Sequence, residues 1–340
     1  MIYREMPATW DSQFRPRFYA HWGRENAIIS AATRSIAYPD YTQLLSLKAA
    51  SGGEEEYFVD GRRIAVDENT YLILKAGRTY GSRVRSTWPV HSFTVFFRPG
   101  LVEDVRHAIT ASAPRLLEER STDGGPPIEF AERLHPHDRS ISPVLRHIFQ
   151  HVSAGHSDEL WVEEQLHFLL QRMLKLHSRD LASEVSIRSA RPATRKELFR
   201  RLGLGVSFMH SRYREPIGLE AIAAAAHVSR FHFLRTFKAV YGVTPSVYLN
   251  RQRTRVAARL LASTTMSTTR IADDVGFGAR TTLFRHLRAA GIARPVGRRS
   301  TRATAERVDS PGSARDPSAP RCAASTEARI PELVPAGWYE

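Results

Sequence analysis

The 340-residue chain is 42% hydrophobic, enough for two ordinary globular cores. Its formal charge is +14, yet residues 195–302 alone hold 21 Lys and Arg against 5 Asp and Glu, an excess of +16 that leaves the remainder slightly acidic. A strongly basic segment beside a near-neutral one suits polyanion binding by the first, and a lone cysteine, Cys322, excludes a disulfide framework or thiolate metal cluster and suits a reducing cytoplasm.

No run approaches the roughly 18 apolar residues of a membrane span. Residues 1–20 carry Arg4, Asp11, Arg15 and Arg17 without an apolar core, so a cytoplasmic protein with no membrane partner is expected.

From residue 26 to 99, short β-rich runs alternate with turn residues. Strands are predicted at 27–36, 43–49, 56–59, 71–74, 82–86 and 91–97, with turns at Ser51-Gly52-Gly53, Asp60-Gly61 and Ala76-Gly77. Many short strands at this spacing predict a small barrel or jelly roll, and Asp60-Gly61 supplies the positive φ of a tight hairpin. A metal-dependent enzyme in such a barrel would need a His-x-His pair and a nearby Glu. Residues 44–97 hold only His91, so no catalytic, cofactor or metal site is expected and the chain is not read as an enzyme.

Farther on, His147 and His151 share one helical face, but Ile148-Phe149-Gln150 between them offers no general base. Val144, Leu145, Ile148, Phe149 and Val152 explain the segment as a packed helix. His135-Pro136-His137-Asp138 carries no further metal signature. A second helix is predicted over 157–177, with Ser157 as its cap, Asp158 and Glu159 in its first turn, and Arg172, Lys175 and His177 in its last. Its apolar residues, among them Leu160, Val162, Leu166, Leu169 and Met173, exceed one stripe. One face suits the β region and another the same helix of a second chain, predicting a homodimer. Residues 178–194, rich in Ser, Arg and Ala and holding Pro192, read as a linker.

The basic segment contains one pattern twice, offset by about fifty residues: Ile222-Ala223, Arg235, Phe237, Gly242 and Pro245, then Ile271-Ala272, Arg285, Leu287, Gly291 and Pro295. Helices are predicted at 195–213, 219–226, from Ser229 as cap, at 245–261, from Thr268 or Thr269, and from about Ala279. At about 100° per residue, Phe233, Phe237 and Val240 face inward. Phe231, Leu234, Arg235 and Lys238 face outward, with Arg230 at the start of the same helix. In the second copy Leu283 and Leu287 face inward, while Arg280, Thr281, Thr282 and Arg285 complete the outward set. Such faces suit direct readout: arginine pairs with guanine O6 and N7, an apolar side chain meets a thymine methyl, and lysine takes a phosphate. Two reading helices on a fixed spacer can enter successive major grooves about one turn apart, so one chain can read a site without two-fold symmetry.

These residues, with Leu219, Ser229, Gly242-Val243-Thr244-Pro245, Tyr248-Leu249, Arg253, Ala257, Leu260-Leu261 and Val275-Gly276-Phe277, resemble the AraC/XylS family of bacterial transcriptional regulators over residues 219–287. The resemblance implies an α+β chain with an N-terminal cupin-like β-barrel or jelly-roll domain and a helical dimerisation segment (1–180). A linker (181–196), an all-α DNA-binding domain with two helix-turn-helix motifs (197–300) and a disordered tail (301–340) follow. It also implies double-stranded promoter DNA as partner, RNA polymerase recruitment, usually as an activator, and a small-molecule effector in the N-terminal domain.

Three positions depart from the family pattern. His227 stands where glycine is usual, Phe284 replaces a small polar residue, and Leu287 replaces an aromatic, which predicts a poorer seat for the second reading helix. From about Ala289 the apolar periodicity ends and no Gly-x-x-Pro-x-x-Tyr closes the motif, which points to a reading frame lost near 286–290. The alternative function is a small-molecule-binding or oligomerising β protein whose second helix-turn-helix is defective and whose DNA binding is weak or nonspecific.

Overall fold

Alternating burial builds the first half of the chain. In the computed structural model, which describes residues 1–7, 22–110, 128–156, 158–188 and 191–292, the strands are β1 (Ile2–Tyr3), β2 (Ala27–Gln43), β3 (Ser46–Ser51), β4 (Glu55–Val59), β5 (Arg62–Val66), β6 (Thr70–Leu74), β7 (Arg78–Phe96) and β8 (Leu134–Pro136). They form one sheet in the order β1-β2-β7-β3-β6-β8, with β4 joined to β7 and β5. The long strands β2 and β7 run antiparallel. The other edge of β7 is shared, residues 80–83 pairing with β4 and residues 91–96 with β3. Ile28, Leu47, Tyr71, Ile73, Phe93 and Val95 face the helices that follow. Their neighbours Ala50, Leu72, Leu74, Tyr80 and Val84 close the inside of the curved sheet.

Several sequence expectations change here. Residues 82–86 and 91–97, expected as two strands, belong to the single β7, and 27–36 extends to Gln43. Pro89 lies in the unpaired stretch 86–89, where the β2–β7 register shifts between Thr33↔Val90 and Ser35↔Arg85, so its missing N–H removes no ladder bond. The hairpin at Asp60-Gly61 joins β4 to β5, with φ of 50° and 70° at the two residues. His91 lies inside β7, its Nε2 3.0 Å from Ser30 Oγ.

The helices α1 (Leu101–Thr110), α2 (Ser142–Ser153) and α3 (Glu159–Val185) cover the outer face of the sheet. Leu145, Ile148 and Val152 of α2 are buried, as its apolar pattern predicts. Asp158 caps α3 by accepting the Trp161 N–H at 2.6 Å; Ser157, the expected cap, lies outside the described residues, as do Cys322 and the tail from 293 on. The expected linker at 178–194 is largely helix. α3 runs on to Val185, and α4 (Pro192–Ser211) begins soon after. Composition reads Ser, Arg and Ala as a linker, but Asp180 in this stretch accepts from buried Arg133 Nη2 at 2.9 Å and Ile187 is buried. Pro192 stands in the first turn of α4, where a missing N–H is tolerated.

The second half is helical: α5 (Leu219–Ala225), α6 (Arg230–Tyr241), α7 (Pro245–Ser263), α8 (Thr268–Asp274) and α9 (Arg280–Ala289) follow α4. They share one core, drawing on Val206 and Met209 of α4, Ile222, Phe233, Phe237, Ala257, Ile271 and Leu283. No helix among the described residues is long and apolar enough to cross a membrane.

The halves meet through polar groups as well as packing. The Leu134 N–H donates to Ser207 Oγ at 3.1 Å, and Arg259 donates to the Glu68 carboxylate at 2.9 Å and to its carbonyl at 3.1 Å. Buried His210 sits 3.1 Å from the Tyr248 hydroxyl. Burial, reinforced by the charges of Arg255 and Arg133, pushes its imidazole down to about 3. Below its ordinary value of 6.5 the unfolded chain therefore binds a proton that the folded chain refuses, and stability from this group is lost as pH falls from 6.5 toward 3. Urea midpoints measured from pH 7.5 to 4.5 should fall with acidification, and His210→Gln should flatten that slope; an unchanged slope would remove His210 as a source of it.

Candidate nucleic-acid interface and a lysine-lined cavity

Each helix pair is set by a left-handed turn. Between α5 and α6 the turn residue is His227, at φ 52°; between α8 and α9 it is Gly276, at φ 80°. His tolerates this conformation less well than Gly. Here its Nε2 lies 3.1 Å from Arg62 Nη2 and its carbonyl accepts from Arg201 Nη1 at 2.9 Å. Ser229 occupies the N-cap of α6 as expected, but its side chain makes no capping bond. In the second pair Ser267, rather than Thr268 or Thr269, caps α8 by accepting the Arg270 N–H at 3.2 Å.

Along α6, Phe233 and Phe237 are fully buried, Val240 is only partly so, and Thr236, which the helical wheel had not singled out, is buried too. The opposite face presents Arg230, Phe231, Arg235 and Lys238 to solvent, with Leu234 half-buried. Phe231 is 76% exposed, which rules out core packing for it, and the Arg230 guanidinium lies over its ring at 5.0 Å. Along α9, Arg280, Thr281 and Arg285 are exposed and Thr282 half-buried. Arg288, exposed near the end of α9, extends this basic face. None of these six basic side chains enters an ion pair with the described residues, whereas Arg200 and Arg201 both pair with Glu197 and Arg270 pairs with Asp274.

The second pair is seated better than its sequence predicts. Leu283 and Leu287 are buried in the common core, Phe277, Phe284 and Ile292 pack against it, and His286 stacks on Phe277 at 4.9 Å. The spacer α7 is fixed to the end of α4 by Arg253, whose guanidinium donates to the Tyr213 carbonyl at 2.7 Å and the Glu215 carbonyl at 2.6 Å.

A second feature lies inside the curved sheet. Lys48 on β3 is 3% exposed, and its ammonium sits 4.0 Å from the centroid of Phe96, 5.1 Å from Tyr80 and 5.5 Å from Tyr57. It opens into a cavity of about 80 Å³ lined from β2, β3, β4 and β7. Glu55, also buried, accepts from Ser92 Oγ at 2.6 Å on the same lining. Burial holds the Lys48 amine down to about 7, against the opposing pull of Glu55. Sequence reading missed this residue, although a lone charge inside Leu44-Leu45-Ser46-Leu47-Lys48-Ala49-Ala50 is the kind of signal that marks an inward-facing polar group. Among the described residues no cluster of His, Cys, Asp and Glu could hold a metal ion, and His147 and His151 instead contact Trp161.

Residues 222–291 match the model of a helix-turn-helix domain. YfiF of Bacillus subtilis, an uncharacterized HTH-type transcriptional regulator, is 36% identical over 63 residues, 18% of this chain and about a fifth (20%) of that protein's length. The DNA-binding domain of AdpA, a global transcriptional factor crystallised with a target DNA, is 31% identical; the match covers 27% of this chain and 85% of that one, at a TM-score of 0.26. A transcriptional regulator from Chromobacterium violaceum, with an AraC-type DNA-binding domain, is likewise 31% identical over 27% of this chain and 81% of its own, at a TM-score of 0.26. The chain thus carries a helix-turn-helix domain of regulator type. Over these residues it is similar to the helix-turn-helix domains of transcriptional regulators.

Two close approaches hold the interface in shape. A Cβ on Gly205 of α4 would lie 2.7 Å from the ring of Phe233, and one on Gly276 would lie 2.7 Å from the carbonyl oxygens of Tyr213 and Arg214. Gly205→Ala and Gly276→Ala should each lower the unfolding free energy by about 1–3 kcal/mol. Gly218→Ala, whose Cβ meets nothing within 4 Å, should leave it nearly unchanged; equal urea midpoints for all three would refute the close-packing account.

Proposed function

We propose that the chain is a sequence-specific DNA-binding regulator of transcription that acts from the cytoplasm on double-stranded promoter DNA. The observation that carries this reading is the pair of basic faces on α6 and α9, exposed and free of ion pairs with the described residues, mounted on one core. In this reading residues 197–300 are a double helix-turn-helix domain. Arg235 and Arg285 are the principal readers, Arg230, Lys238 and Arg280 hold phosphates, and Phe231, Leu234, Thr281 and Thr282 complete the base contacts. The DNA seen with the AdpA domain supports the choice of ligand.

Residues 1–180 form, in the same reading, a cupin-like domain for an effector and for dimerisation. The Lys48 cavity supports the first role. The exposed apolar residues of α3, Leu160 at 81% and Val185 at 70% with Phe168 and Leu181 along the helix, support a homodimer. Activation through RNA polymerase recruitment completes the proposal, on family grounds alone.

Arg235→Ala should weaken binding to the selected site by about 1–3 kcal/mol and relax preference at one base position, measured by gel shift against a library of variant sites. Equal weakening on every sequence would make Arg235 a phosphate contact. Titration of the unmodified protein over salt tests the whole proposal: loss of all discrimination against competitor DNA at every salt concentration would favour a β protein with only nonspecific DNA affinity.

A further inference from the structure

The cavity under Lys48 combines features that together narrow the chemistry of what it accepts. The chain contains 5 lysines and 44 arginines, so a buried base on β3 would by usage alone be an arginine. The residue is instead a lysine, the basic side chain that becomes a nucleophile when deprotonated, whereas arginine stays charged. Its Nζ makes no hydrogen bond or ion pair with the described residues; its neighbours are the rings of Phe96, Tyr80 and Tyr57. Burial in such surroundings disfavours the ammonium and leaves a substantial neutral fraction near pH 7.

The lining also argues against an anionic ligand. Glu55 is buried on the same cavity wall and acts electrostatically on Lys48, so a carboxylate entering there would meet a negative charge as well as a positive one. Phe96, Ile29, Met6 and Trp22 make much of the remaining lining apolar. At about 80 Å³ the space is near half of the ~150 Å³ that accommodates benzene. The ligand must be small, neutral and mostly apolar, with one polar atom group for the amine.

We propose that this cavity captures a short-chain aldehyde or ketone as a reversible imine on Lys48. The inference rests on the reading of the N-terminal domain as an effector domain and names the effector's chemical class. The neutral Nζ attacks the carbonyl carbon, and one Nζ proton passes to the carbonyl oxygen to give a carbinolamine. The remaining Nζ proton then leaves with the hydroxyl as water, forming the C=N bond: amine and carbonyl give imine and one water, with no change of oxidation state. The aromatic walls exclude the bulk water that would hydrolyse the product.

The test uses the full-length protein, acetaldehyde as probe, and sodium cyanoborohydride at pH 7 to fix any imine as a secondary amine, read by intact mass and peptide mapping. Lys48 should gain the ethyl mass at least about ten-fold faster than Lys75, Lys175, Lys196 or Lys238, because burial disfavours its ammonium and leaves the nucleophilic amine. Lys48→Arg, checked for folding by circular dichroism, should lose that adduct. Labelling spread evenly over the lysines overturns the proposal. Thermal stabilisation by ethanol equal to that by acetaldehyde, with no adduct, also overturns covalent capture while leaving the cavity a ligand site. Absence of both stabilisation and adduct overturns the proposal together with the effector reading of this cavity.

Discussion

Helix α4 has to touch the sheet and α6 at the same time, and everything downstream depends on that double approach. Toward the sheet it offers Ser207 to the Leu134 N–H and sets Gly203 against the Arg133 side chain; toward the helix pair it offers Gly205 to the ring of Phe233. A side chain at Gly205 would force the helix off Phe233, at 2.7 Å, whereas a Cβ at Gly203 would meet Arg133 at ordinary contact distance. Beyond its last turn, the carbonyls of Tyr213 and Glu215 receive Arg253 of the spacer helix, and the Tyr213 and Arg214 carbonyls press on Gly276. One helix and its C-terminal extension thereby position both helix pairs and the spacer between them.

This arrangement explains which parts were legible in the sequence. The double helical motif was readable because its signals are local: small residues at Ala223 and Ala272, a glycine at the second turn, and apolar residues such as Phe233 and Leu283 at helical spacing. The outward faces followed by simple rotation, and all nine residues assigned to them are exposed or half-buried. What failed was non-local. The continuity of α3 to Val185 depends on Asp180 meeting Arg133 from 47 residues away. The continuity of β7 depends on a register shift that excuses Pro89. The seat of α9 depends on Phe277, Phe284 and Ile292 packing against the common core. No window of neighbouring residues contains these facts.

The Lys48 cavity is a case where a local signal was present but carried no spacing motif. A single charge in an apolar strand reads as an anomaly until the strand's alternation is resolved. Leu47 and Ala49 then turn toward the helices while Ser46 and Lys48 turn inward. Ring faces and a buried carboxylate, rather than a matched ion pair, surround this amine, and its burial disfavours the charged form.

Where β8 meets α4, Arg133 Nε and His210 Nδ1 are buried with no hydrogen-bond partner among the described residues. A polar atom buried without a described partner offsets part of what the surrounding contacts contribute. The approach of α4 to the sheet therefore rests on its apolar packing and on the Ser207 bond to the Leu134 N–H, with these two atoms subtracting from both.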